Sequence, residues 1–159
     1  MSATTNKDQE ISLMRVAMAS MSGTVLEWYD FFLYGFTAAL VFGKLFFPTY
    51  SPLAGTLASF GTLAVGFVAR PIGGILFGHF GDRIGRKAAL ITTISIMGGL
   101  SFLIGVIPTY EKIGVAAPIL LTVLRFMQGI ALGGEWGGAV LMTLEYSPER
   151  RRGFYGSVV

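Results

Sequence analysis

The sequence predicts an all-α integral membrane fold, and three observations carry that reading. Only 13% of its 159 residues are charged while 53% are hydrophobic, against about 25% charged in an average soluble domain. The mean hydropathy is +0.65, which places the chain in the membrane class. Four stretches are each apolar over the roughly 17–25 residues, or more, that a helix needs to cross a bilayer.

Taken in order, residues 1–15 form a polar N-terminal tail and the first span covers about 16–42. This span is no signal peptide, because its apolar run is too long, no A-x-A site follows, and two acids lie in its core. The second span is expected over about 53–80, the third over 88–107 and the fourth over 116–146. A fifth helix is expected to begin near Gly153, where GFYGSVV resembles the entry of another span. That short ending predicts a fragment of a longer protein.

Lys and Arg set the orientation. Lys7, Arg15, Arg83, Arg86, Lys87, Arg150, Arg151 and Arg152 fall on one side of the four spans, and only Lys44 and Lys112 on the other. The positive-inside bias therefore predicts a cytoplasmic N-terminus. The net charge of +3 gives no reason to invoke nucleic acid. With no Cys in the chain, disulfides and thiolate metal sites are excluded. No cofactor or metal is expected.

Several polar side chains fall inside the spans. A charge at the bilayer centre costs about 2.5–3.5 kcal/mol on insertion scales, so such residues normally pair inside a bundle or face water. Glu27, Arg70 and Glu135 each lie about 10 or 11 residues from the predicted cytoplasmic end of their span, roughly 15 Å deep at 1.5 Å per residue. They are expected to form one ionic layer. Asp30 lies a turn higher and Arg125 higher again, so a second pairing between them is expected if the fourth span is tilted, as its length suggests. Pro71 directly follows Arg70 and favours a kink there. Glu27, Asp30 and Tyr34 are spaced three and four apart and so share one helix face with Phe31. That stripe suits either a solvated pocket for a small polar substrate or an ion-pair lock between helices.

Glycines are spaced for close helix packing. Gly129, Gly133 and Gly137 recur every four residues in the fourth span, a small-xxx-small row that lets backbones approach. The loop GHFGDRIGRK is different in kind. Gly81 and Gly85 are expected to turn the chain. Asp82 is expected to accept backbone N–H groups at a helix N-terminus. Arg83, Arg86 and Lys87 would hold the cytoplasmic face. No phosphate-loop pattern is present.

These residues carry a family resemblance. Gly78-x-x-x-Asp82-Arg83-x-Gly85-Arg86-Lys87 resembles the signature between helices two and three of the major facilitator superfamily, and Arg125-x-x-Gln128-Gly129-x-x-x-Gly133 resembles its helix-four motif. Glu27-Trp28-Tyr29-Asp30-Phe31, Arg70-Pro71-Ile72-Gly73 and Gly133-Gly134-Glu135-Trp136-Gly137-Gly138 resemble the metabolite:proton symporters within it, a group that includes carriers of proline and betaine, α-ketoglutarate, citrate and shikimate. The resemblance implies the N-terminal part of a twelve-helix carrier built from inverted repeats around a midplane site. It implies proton-coupled symport of a small organic acid or zwitterion by alternating access in the cell membrane, with the bacterial inner membrane as the expected setting. It further implies that Arg125 contacts a substrate carboxylate or takes part in proton coupling. By the same resemblance, Asp82 and its basic neighbours would brace a cytoplasmic gate against the remainder of the carrier.

Glu27, Asp30, Tyr34, Arg70, Arg125, Gln128 and Glu135 are thus the candidate substrate and proton-coupling residues. The competing expectations are a truncated chain that inserts but moves nothing, and a passive facilitator. An intramembrane aspartyl protease is excluded, since Asp30 belongs at mid-membrane and Asp82 at its surface, too far apart for two carboxylates to share a proton.

Overall fold

The computed structural model describes the backbone over residues 2–146 and 152–153, and side chains at 18, 21–135, 144, 152 and 153. Its elements are α1 (Ser2–Thr37), a π-helical segment (Ala38–Phe42), α2 (Gly43–Phe46), α3 (Pro52–Ile84), α4 (Arg86–Val106), α5 (Tyr110–Ile113) and α6 (Ala116–Tyr146). Four membrane-length spans result among the described residues: Met21–Phe46, Pro52–Ile84, Arg86–Val106 and Ala116–Glu135. The chain is a multi-pass membrane protein. The expected fifth helix falls largely outside the described residues.

Local chemistry sets the breaks. Pro48 disfavours helical backbone at the residue before it, and Phe47 leaves the helix with φ −129°. Ser51 then caps α3, its Oγ accepting from the Ala54 N–H at 3.3 Å, with Pro52 in the first turn, where a missing N–H costs nothing. Gly85, at φ +95°, separates α3 from α4, a backbone conformation that side chains disfavour. Pro108 ends α4 in the same way that Pro48 ends α2, with Ile107 extended at ψ 129°.

Two span ends lie beyond their expected positions. The first helix runs on to Phe46, so Lys44 is helical instead of lying in a loop. A lysine in a last turn is favoured by the helix dipole. The second span reaches Ile84, because Gly78 and Gly81 are accommodated in the helix and only Gly85 turns. The expected turning role of Gly81 is therefore corrected. Its value is room: a Cβ there would stand 3.3 Å from Arg86 Nη1. α3 also runs through Pro71 without a break in the helix.

The π segment has a packing consequence. Tyr34, Ala38, Phe42 and Phe46 are all buried, at four-residue spacing. In an α-helix each four-residue step overshoots a turn by about 40°. A π turn closes i→i+5 and holds more residues, so the step from Ala38 to Phe42 falls short and cancels the drift. The stripe therefore stays on one face, against Leu63, Ile104, Ala117 and Leu121. Tyr34, Phe42 and Phe46 meet edge to face, with centroids 5.1 and 5.3 Å apart.

The most intimate contact is between α3 and α6. A Cβ on Gly129 would strike the carbonyl of Gly66, one on Gly133 the carbonyl of Arg70, and one on Gly73 the carbonyl of Ile130. The two backbones touch directly. Gly129 and Gly133 thus pack as their spacing predicts, while the side-chain position of Gly137 lies outside the described residues. Gly99 has no neighbour near its would-be Cβ. Gly129→Ala is expected to destabilise the protein by about 1–3 kcal/mol through overpacking. Gly99→Ala should be neutral or stabilising by up to about 1 kcal/mol through helix propensity. Thermal unfolding in detergent micelles compares the two, and equal effects would show that the seam is not close-packed.

Candidate functional site

Two polar clusters lie inside the bundle, and both draw on α1. The first is centred on Asp30. Arg125 Nη1 donates to Asp30 Oδ2 at 3.0 Å and also to Gln128 Oε1. Gln128 Nε2 donates to Asp30 Oδ1 at 3.0 Å and to Ser101 Oγ at 2.7 Å. Ser101 Oγ in turn donates to Asp30 Oδ1 at 2.6 Å. Helices α1, α4 and α6 are thereby joined through one carboxylate. Arg125 and Gln128 are three apart on α6 and share its inner face, which is why both reach Asp30.

The Arg125 guanidinium also lies over the Tyr34 ring, Cζ 4.1 Å from the centroid, a cation–π contact that gains strength when desolvated. Tyr34 is held from its far end. The Thr62 hydroxyl donates to the Ser59 carbonyl at 2.6 Å, which uses its single proton, so the Tyr34 hydroxyl is the donor in the 2.5 Å bond to Thr62. Gly66 completes the cradle, since a Cβ there would sit 3.1 Å from Arg125 Nε and 3.2 Å from its Cγ. A cleft of about 320 Å³ opens beside this cluster and is lined by Asp30, Tyr34, Ser101 and apolar residues of α1, α2 and α4.

The second cluster contains Glu27, Arg70 and Glu135. Arg70 Nη1 and Glu27 Oε1 are 2.8 Å apart, and the Arg70 Cζ lies 4.6 Å from the Phe67 ring centroid. A separate cleft of about 490 Å³ is lined by Thr24, Glu27, Trp28, Arg70, Pro71, Gly74, Leu132 and Gly133. Glu135 does not line that cleft; it is 1% exposed, and neither of its carboxylate oxygens has a hydrogen-bond partner.

The structure therefore contains both expected ion pairs, Glu27 with Arg70 and Asp30 with Arg125. It divides the stripe of Glu27, Asp30 and Tyr34: although they share a helix face, they turn to different helices and line two clefts instead of one. Glu135 joins the Glu27–Arg70 level without taking a direct bond.

At the α3–α4 junction the expectation for Asp82 is corrected. Asp82 lies in the last turn of α3, and its Oδ1 takes Arg86 Nη2 at 2.5 Å instead of backbone N–H groups. An acid at the C-terminal end of a helix is disfavoured by the dipole, and the cation across the Gly85 break offsets this. Arg83 and Lys87 are exposed beside it, and Gly78 is helical with open space around it.

Three participants escape a reading of the sequence alone. Ser101 is a hydroxyl in a span with no charged residue after Lys87, and such hydroxyls commonly bond their own helix. Thr62 is equally inconspicuous. Gly23 leaves the space that Glu135 fills, since a Cβ there would lie 2.5 Å from Glu135 Oε1. A faint signal exists for Ser101, which falls at the depth of Asp30.

Helices of membrane length enclosing paired charges at mid-span define an all-α polytopic protein, consistent with the N-terminal part of a larger bundle. Residues 16–159 match the family described as sugar (and other) transporters, and the chain belongs to that family, within the major facilitator superfamily. It is 55% identical over 145 residues to the shikimate transporter of Escherichia coli (strain K12), covering 91% of this chain and 33% of that protein. It is 51% identical over 143 residues to the inner membrane metabolite transport protein YhjE of the same organism, covering 90% and 32%. To the proline/betaine transporter of that organism it is 46% identical over 145 residues, covering 91% and 29%. The chain spans about a third of the length of these curated relatives. No solved structure matches it.

Removing one partner of a buried ion pair leaves an uncompensated charge and costs about 3–5 kcal/mol. Arg125→Gln is expected to lose stability on that scale, and Asp30→Asn added to it should recover a substantial part. A double-variant cycle of unfolding in micelles measures this. A double variant as unstable as the sum of its parts would show that the pair is not coupled.

Proposed function

We propose that this chain forms part of a proton-coupled carrier that moves a small organic acid or zwitterion across the membrane by alternating access. The observation that carries the reading is the buried Asp30–Arg125 pair, tied by Gln128 and Ser101 and bordering a cleft of about 320 Å³. An ion pair of this kind is a two-state element. With Asp30 ionised, Arg125 is occupied. A proton on Asp30 cancels the attraction and frees Arg125 to hold a substrate carboxylate, where its planar fork suits bidentate contact. Substrate and proton then favour the same state, which is the requirement for symport.

Relatives named for shikimate and for proline and betaine support this substrate class, since the first is an organic acid and the others are zwitterions with a carboxylate. Glycine contacts between α3 and α6 are compatible with helix motion and do not argue against transport. The Asp82–Arg86 link and its basic neighbours would serve at the cytoplasmic gate, with the N-terminus on the cytoplasmic side. A passive facilitator would need no proton-binding acid beside the cation that holds its substrate, which makes Asp30 the discriminating residue.

The test is uptake and exchange by the full-length carrier in proteoliposomes. Asp30→Asn is expected to reduce uptake driven by a proton gradient at least tenfold while leaving substrate exchange at equal pH within about threefold, that is, within about 0.7 kcal/mol. Equal loss of both activities would remove Asp30 from coupling.

A further inference from the structure

The two clusters differ in charge count. Asp30 and Arg125 balance one another. Glu27, Arg70 and Glu135 do not, because two carboxylates share one guanidinium, and that guanidinium is committed to Glu27 at 2.8 Å. Glu135 is 1% exposed, and both its oxygens lack a hydrogen-bond partner. Its charged neighbours are Glu27 on α1 and Arg70 on α3. From α4 the residue packed into the same corner is Ile94, whose Cδ1 would stand 3.3 Å from a Cβ on Gly23. No further cation near Glu135 is found among the described residues. An isolated buried carboxylate without hydrogen bonds is among the costliest arrangements in a protein interior, and a neutral carboxyl is far cheaper.

We propose that Glu135 binds a proton of its own, on the Glu27–Arg70–Glu135 cluster and apart from the Asp30–Arg125 pair, and that release of this proton redirects Arg70 toward Glu135. The step balances simply. The Glu135 carboxyl gives up H⁺ and becomes a carboxylate, and Arg70 divides its N–H groups between two anions instead of one. The geometry suits the exchange, because the Arg70 carbonyl already lies against Gly133, two residues from Glu135. Glu27 and Arg70 line the cleft of about 490 Å³ and Glu135 does not, so the ion pair, and not Glu135, meets the cleft. Redirecting Arg70 pulls on α1, α3 and α6 together. Any consequence for transport rests on the carrier reading above, but the protonation state does not.

Infrared spectroscopy of the protein in lipid at neutral pH tests this, reading the carbonyl stretch of a protonated carboxyl. The wild-type protein is expected to show such a band, and Glu135→Gln, a neutral isostere, should lose it. Glu27→Gln should lose it too, because Arg70 then has only Glu135 to pair with and no proton is needed. Asp30→Asn should retain it. A band that survives in Glu135→Gln, or that disappears in Asp30→Asn alone, overturns the proposal. If Glu135→Gln does not fold, persistence of the band in Glu27→Gln overturns it equally. Uptake measured alongside separates the two readings: a protein that transports nothing but keeps the band refutes the carrier and leaves the proton on Glu135.

Discussion

The direct contact of the α3 and α6 backbones governs the interior of this protein. Gly66, Gly73, Gly129 and Gly133 let the two helices meet with no side chain between them. In lipid there is little hydrophobic gain from bringing apolar helices together, so close van der Waals packing must supply it. The same contact decides where the charges go. Arg70 and Arg125 lie on these two helices beside the seam, and with the backbones so close their side chains are directed toward α1. There they meet Glu27 and Asp30. A wider spacing would leave each arginine free to extend toward a membrane surface along its own stem.

Small residues have a second use at the same sites. Gly66 provides the space for Arg125, and Gly23 the space for Glu135. A buried charged side chain is large, and it can be paired only if a neighbouring helix gives way. Glycine does this without bending the chain, since these residues keep helical backbone. The glycine content therefore serves both to bring helices together and to admit polar groups between them.

The two clusters illustrate different solutions to the cost of buried charge. At Asp30 nearly every lone pair is matched, by Arg125, Gln128 and Ser101, which fixes a specific arrangement of three helices. At Glu27 and Arg70 the pair is simpler and borders a cleft. One densely bonded network, in which only the Arg125 Nε lacks a partner, beside one with an excess acid gives the bundle a rigid element and a responsive one. The link between Asp82 and Arg86 across Gly85 is a third kind of pairing. It lies at a helix junction, where it joins the end of α3 to the start of α4.

The sequence by itself determined the number of spans, the family and which buried charges share a depth. Length and hydropathy are enough for the spans, because a helix must satisfy its backbone internally to cross a bilayer. Depth counting is enough to place Glu27, Arg70 and Glu135 in one layer, because the rise per residue is constant, whereas it sets Arg125 above Asp30 and matches the two only if the fourth span tilts. Tertiary structure alone decided which helix each side chain turns to. Glu27, Asp30 and Tyr34 share one face by periodicity, yet α3, α4 and α6 approach that face at different heights and divide it into two clusters. The contributions of Ser101, Thr62 and Gly23 were likewise hidden, since a hydroxyl or a glycine costs little anywhere in a membrane helix and so leaves no mark in composition. Asp82 showed the same limit at the junction: its neighbours in sequence suggest a helix start, and only the continuation of α3 to Ile84 places it at a helix end, where a nearby cation is the partner it requires.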